Sequence, residues 1–216
     1  MKNKIEMVIF DMDGVIMDSE PLHANAKVEV VEELNLTLPK DLLFFVGKPN
    51  KVFWEAAIGD KEVGYTYDEL EFMQYVSILK QMKDKDVKVS KGLKELLQFL
   101  KESGIKTAVA SSSNRYYIDR VLKYYQLENE FIFTAGGDEV KSKKPEPDVY
   151  LKVLEHCDIS AENVLAIEDS SAGCQAAFSA GIKCIGYRNP SSGNQDLSKS
   201  VCQVASLDEV IKILQK

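Results

Sequence analysis

Met7-Val8-Ile9-Phe10-Asp11-Met12-Asp13-Gly14-Val15 is the stretch on which the fold turns. Its four leading apolar residues run straight into a carboxylate, the pattern of a strand buried on both faces that stops at a polar sheet edge. Runs of the same kind recur at residues 107 to 110, 131 to 133, 164 to 167 and 184 to 187. Between them apolar residues fall at helical spacing, as in Leu93, Leu96, Leu97 and Leu100, or Tyr150, Val153, Leu154 and Cys157. Strands alternating with helices imply an α/β fold whose parallel sheet is covered on both faces. Near the C-terminus, Ser206 three residues before Glu209 predicts a capping box, and Leu207, Val210, Ile211 and Leu214 form the stripe of a last helix.

The alternation breaks once. From about residue 19 to 89 no strand is predicted, while Ala24, Val28 and Val31, and then Leu70, Met73 and Val76, are spaced helically. A helical subdomain inserted after the first strand follows: residues 1–17 and 90–216 form the core, and residues 18–89 the insert. A chain of 216 residues has room for both, since one domain takes roughly 100 to 200 residues.

The charge of −7 excludes broad electrostatic attraction to nucleic acid or anionic membrane. The short apolar run before Asp11 is too brief for a membrane span or a signal-peptide core, so a cytoplasmic protein is expected. Cys157, Cys174, Cys184 and Cys202 contain no C-x-x-C pair and read as thiols in or near the core.

Strands of an open parallel sheet deliver their C-terminal ends to one edge, where ligands bind. Just past the predicted strand ends stand Asp11 and Asp13, then Ser111, then Lys144 after a longer loop, then Glu168 and Asp169. Asp11, Glu168 and Asp169 are hard oxygen donors suited to Mg²⁺. Ser111 can donate to a phosphoryl oxygen, and the Lys144 ammonium can neutralise charge on the same group. With repulsion offset in this way, Asp11 can attack phosphorus and divide one hard displacement into two. Asp13, two residues on, can give a proton to the leaving oxygen and later take one from water. Each element alone is ordinary. A D-x-D after an apolar run is commonly a turn or helix cap, Lys141, Lys143 and Lys144 together read as a solvated basic loop, and Ser111 reads as a cap.

Taken together, Asp11-Met12-Asp13-Gly14-Val15, Ser111, Lys144-Pro145 and Glu168-Asp169-Ser170 resemble, in order, the four motifs of the haloacid dehalogenase superfamily, nearest its β-phosphoglucomutase-like phosphatase branch. The resemblance spans essentially the whole chain and implies a Rossmann-like core with an inserted all-helical cap that opens and closes about residues 17 to 20 and 86 to 91. It implies a phosphatase or phosphomutase rather than a dehalogenase, because those enzymes carry an acid where Asp13 stands. It further implies Mg²⁺ held by Asp11, the backbone carbonyl of Asp13 and Asp169, with Glu168 as a direct or water-mediated ligand. Ser112, Ser113 and Asn114 would extend the phosphate and substrate loop.

The mutases of this branch keep a histidine twelve residues after the nucleophile, where His23 stands; a packed cap-helix histidine accounts for it equally well. Their cap loop also carries an arginine for the second phosphate. This chain reads Val46-Gly47-Lys48-Pro49-Asn50, with Gly47 aligned and only Lys48 to supply a charge. The expectation is therefore a monomeric phosphatase of a small phosphorylated substrate, with a β-phosphoglucomutase-type isomerase and a non-catalytic binding protein as alternatives. Phe44, Phe45, Phe53 and Trp54 read as cap core before they read as a sugar or base platform.

Overall fold

The computed structural model describes residues 4–46 and 48–215. By backbone contacts the chain divides into two compact units, Met1–Asp18 with Lys88–Lys216, and Ser19–Val87.

The first unit is built on a six-stranded sheet, all parallel, in the order β3-β2-β1-β4-β5-β6. The strands are β1 Met7–Phe10, β2 Lys106–Ala110, β3 Phe133–Ala135, β4 Val164–Glu168, β5 Lys183–Tyr187 and β6 Cys202–Val204. All four residues of β1 are fully buried, as a central strand with helices on both faces requires. Met7 and Ile9 join Ala108, Ala166, Val149 and Val153 in one core cluster on one face. On the other, Phe10 meets Phe131 edge to face at 5.8 Å.

Two predicted elements are corrected. The third strand is Phe133–Ala135 rather than 131 to 133. Its pairing partner Ala108–Ala110 fixes the register, and the aromatic run that marked it in sequence does other work, with Phe131 plugging against Phe10 and Ile132 more than half exposed. The last helix begins at Glu209, and Ser206 makes no capping box there. Its hydroxyl turns to the Asp208 carboxylate and the Lys91 carbonyl, and Glu209 accepts from the Ala205 N–H at 3.2 Å instead. Of its predicted stripe Leu207 and Val210 are buried, and Ile211 and Leu214 only half so. The edge strand β6 was not anticipated, because three residues carry no readable alternation.

Helices of this unit are α4 Leu93–Glu102, α5 Arg115–Tyr124, α6 Asp148–Cys157, α7 Ser171–Ser179 and α8 Glu209–Leu214; those of the second unit are α1 Glu20–Glu33, α2 Asn50–Ile58 and α3 Tyr67–Lys85. The outgoing and returning chain are tied together inside the first unit, where Met17 bridges Val89 and the Ser90 N–H donates to the Ile16 carbonyl at 2.9 Å.

The second unit has its own core of Val30, Val31, Phe45, Phe53, Trp54, Ala57 and Leu70. Phe45, Phe53 and Trp54 pack edge to face in series, so these aromatics are structural; Phe44 is exposed. Helix α3 opens with a full capping box, Thr66 accepting from the Glu69 N–H and Glu69 accepting from the Thr66 N–H at 2.8 Å. Among the described residues no helix is long and apolar enough to cross a membrane, and all four cysteines are free thiols.

Candidate active site

The sheet brings the C-terminal ends of β1, β2 and β4 side by side, because β1 lies between the other two. The ladder runs one residue past β1, the Asp11 N–H donating to the Ile167 carbonyl at 3.0 Å. Beyond it the chain turns sharply at Gly14, whose φ is +79°. A Cβ there would lie 1.9 Å from Asp169 Oδ2, so only glycine lets the β1 loop press against the carboxylate that follows β4.

Asp11, Glu168 and Asp169 each offer a carboxylate oxygen within 4.8 Å of the others, and all three residues are buried. Lys144 reaches into this group from the segment before α6. Its three ammonium protons are all used, on Asp11 Oδ1 at 2.7 Å, Glu168 Oε1 at 2.5 Å and the Ala110 carbonyl at 2.8 Å. Burial, then the charge of Glu168, pushes the Asp11 carboxyl well above the usual carboxylate range despite Lys144. Burial opposes the charge on Lys144, but Asp11 and Glu168 beside it raise its pKa overall.

Asp13 is half-buried, and its carboxylate is held by two hydroxyls: Ser113 Oγ donates to Oδ2 at 2.6 Å and the Tyr117 hydroxyl to Oδ1 at 3.3 Å. Ser111 is buried after β2, its Oγ accepting from the Ser113 N–H at 3.1 Å. Ser112 follows half-buried, and Asn114 is the N-cap of α5, accepting from the Tyr117 N–H at 2.9 Å. The remaining candidates belong to the helical unit. His23 Nδ1 lies 2.7 Å from Gln74 Nε2, Lys48 sets its ammonium over the Phe44 ring, 2.9 Å from the centroid, and Gly47 lies outside the described residues.

A family model described as haloacid dehalogenase-like hydrolase matches residues 8–187. The chain belongs to that family. Among relatives, a phosphorylated carbohydrates phosphatase of Thermotoga maritima is 31% identical over 98% of this chain and 99% of its own. A β-phosphoglucomutase of Bacillus subtilis is 28% identical over 84% of this chain and 83% of its own. Among solved structures, CbbY from Rhodobacter sphaeroides in complex with phosphate superposes with a TM-score of 0.85 at 23% identity, covering 95% of this chain and 96% of that one, which shows the shared fold. This haloacid dehalogenase-like hydrolase is an enzyme of the phosphatase type.

The family's usual Mg²⁺ fits the residues present. Three buried carboxylates gather where Lys144 enters, and Glu168 Oε2 is buried without any hydrogen-bond partner. A hard divalent cation answers that orphaned oxygen, because the donors are all oxygen.

Three residues of this hydrolase's site escaped the sequence reading. Tyr150, at a core position of α6 by its spacing, is fully buried, and its hydroxyl donates to Glu168 Oε1 at 2.5 Å. Tyr117 reaches Asp13, and Ser192, in the loop after β5, donates to Asp169 Oδ2. No spacing rule marks a hydroxyl on an apolar or loop position as a partner of a carboxylate far away in sequence.

Proposed function

We propose that this chain is a Mg²⁺-dependent phosphatase that hydrolyses a small phosphate monoester, a sugar phosphate or similar, through an aspartyl-phosphate on Asp11. What supports the reading most is the Asp11 carboxylate at the end of the central strand, paired with Lys144 and gathered with Glu168 and Asp169. Asp11, Asp169 and the Asp13 backbone carbonyl would hold the cation, with Glu168 as a further direct or water-mediated ligand; once bound, it would neutralise carboxylate and phosphoryl charge.

In the first step an Asp11 oxygen bonds to phosphorus as the ester P–O bond breaks, and Asp13 gives its proton to the departing alkoxide. In the second, water attacks the same phosphorus, Asp13 accepts its proton, and the Asp11–phosphate bond breaks to release inorganic phosphate. Lys144 by its charge and Ser111 by its hydroxyl stabilise the phosphoryl oxygens through both steps. Ser113 and Tyr117 orient the Asp13 carboxylate. The helical unit acts as the cap that selects the leaving group, with His23, Gly47, Lys48, Ser112, Ser113 and Asn114 as substrate contacts.

Hydrolysis is favoured over phosphoryl return to a bisphosphate because the cap loop lacks the arginine of the mutases and the Lys48 ammonium lies over Phe44. The test is phosphorus NMR with Mg²⁺, β-glucose 1-phosphate, a trace of β-glucose 1,6-bisphosphate and a panel of other monoesters. Inorganic phosphate is expected from the wild type and none from Asp11→Asn, whose circular dichroism stays unchanged. Glucose 6-phosphate forming without inorganic phosphate would overturn the phosphatase in favour of the mutase.

A further inference from the structure

The loop after β5 carries polar side chains that the reaction above does not use, and they are among the most buried polar groups of the core unit. Ser192 is 3% exposed and Asn189 7% exposed, beside an Asp169 that is 4% exposed. Their hydrogen bonds run in one direction. Asn189 Oδ1 accepts the Ser191 backbone N–H at 3.2 Å, which turns the Nδ2 end of the amide the other way. Nδ2 then donates to Ser192 Oγ at 2.9 Å and to Asp18 Oδ1 at 3.2 Å. Because Ser192 Oγ already accepts from Asn189, its own hydrogen is free for Asp169 Oδ2, to which it donates. Asp18 anchors the far end, its Oδ2 accepting from Ser191 Oγ at 2.6 Å.

Asp169 is thereby clasped from two sides. The β1 loop closes on it at Gly14, where no side-chain atom fits, and the Ser192 hydroxyl holds one of its oxygens. A carboxylate so held cannot rotate freely about its last bond, so its remaining lone pairs keep a fixed aim. We propose that Ser192, backed by Asn189, is a positioning residue that presets the Asp169 carboxylate for the divalent cation. The inference rests on the reading of Asp169 as a metal ligand.

The experiment is isothermal titration of the metal-free protein with Mg²⁺, alongside its thermal midpoint without metal, for the wild type, Ser192→Ala, Ser191→Ala and Asp169→Asn. Asp169→Asn is expected to lose binding. Ser192→Ala is expected to bind Mg²⁺ about tenfold more weakly, the usual scale for removing an outer partner of a metal ligand, with its midpoint close to that of the wild type. Ser191→Ala, which leaves the Ser191 backbone N–H and the Ser192 hydroxyl in place, should bind as the wild type does.

Wild-type affinity in Ser192→Ala, with binding lost in Asp169→Asn, would overturn the positioning role and leave the ligand assignment standing. Wild-type affinity in Asp169→Asn would overturn both. Equal weakening in Ser192→Ala and Ser191→Ala would mean general loop damage and also defeat the proposal. Should Ser192→Ala not fold, Asn189→Ala carries the same test, with weakening expected and wild-type affinity overturning it.

Discussion

At the scale of single residues the site is governed by close approach. Gly14 and Gly104 both have positive φ, +79° and +67°, so alanine at either is strained by about 1 to 2 kcal/mol. They differ in what a Cβ would meet: nothing within 4 Å at Gly104, but the Asp169 carboxylate at 1.9 Å for Gly14. Gly104→Ala should therefore lower the unfolding free energy by that strain alone and leave turnover intact. Gly14→Ala should lose most turnover as well, because Asp169 must move; steady-state rates beside urea melts of the two variants make the comparison, and equal activity would refute the argument. Asp11, Glu168 and Asp169 were legible because each stands at the end of an apolar strand. Tyr150 was not, since a tyrosine at a core helix position looks the same in sequence whether its hydroxyl meets solvent or Glu168.

At the scale of elements, a capping box joins partners that are close in sequence. In the cap of α3, Thr66 and Glu69 are three residues apart. Thr66→Ala should cost about 1 kcal/mol at neutral pH, measured by chemical denaturation. The Thr66 backbone N–H and then its hydroxyl hold the Glu69 carboxyl below its usual value. A depressed folded-state pKa means that the contribution is present above the unfolded-state value, about 4.3, and is lost as pH falls through the folded one. The stability gap between wild type and Thr66→Ala should thus narrow in acid, and a gap that widens would contradict the cap. The same pattern misled at Ser206, whose hydroxyl is taken by Asp208 and Lys91. It misled again at residues 131 to 133, where pairing with β2 outweighed local hydrophobicity.

At the scale of the whole molecule, β1 belongs to the N-terminal stretch yet occupies the centre of a sheet whose other strands all follow the helical unit. A fragment spanning residues 88–216 should not fold, since removing β1 leaves β2 and β4 without the strand between them. Calorimetry showing no cooperative transition is the expected result, and a sharp one would refute it. The intact chain should be stabilised by Mg²⁺, by about 2.7 kcal/mol at a hundred times the dissociation constant, provided that the cation binds only the folded state. That gain should vanish in Asp169→Asn, as thermal melts with and without the metal will show.

The alternation of strands and helices, apart from β6 and the bounds of β3, and the strand-free helical stretch after β1 follow from the sequence by itself, because burial on both faces and helical periodicity are written in neighbouring residues; the grouping of the four motifs follows from their resemblance to a family. Tertiary structure alone decided the rest. Lys144 meets Asp11 across 133 positions, Tyr117 meets Asp13 across 104, and Ser192 meets Asp169 across 23. A hydrogen bond between polar groups far apart in the chain leaves no local pattern. It exists only because a parallel sheet sets the ends of separate strands side by side, where burial removes the water those groups would otherwise bind.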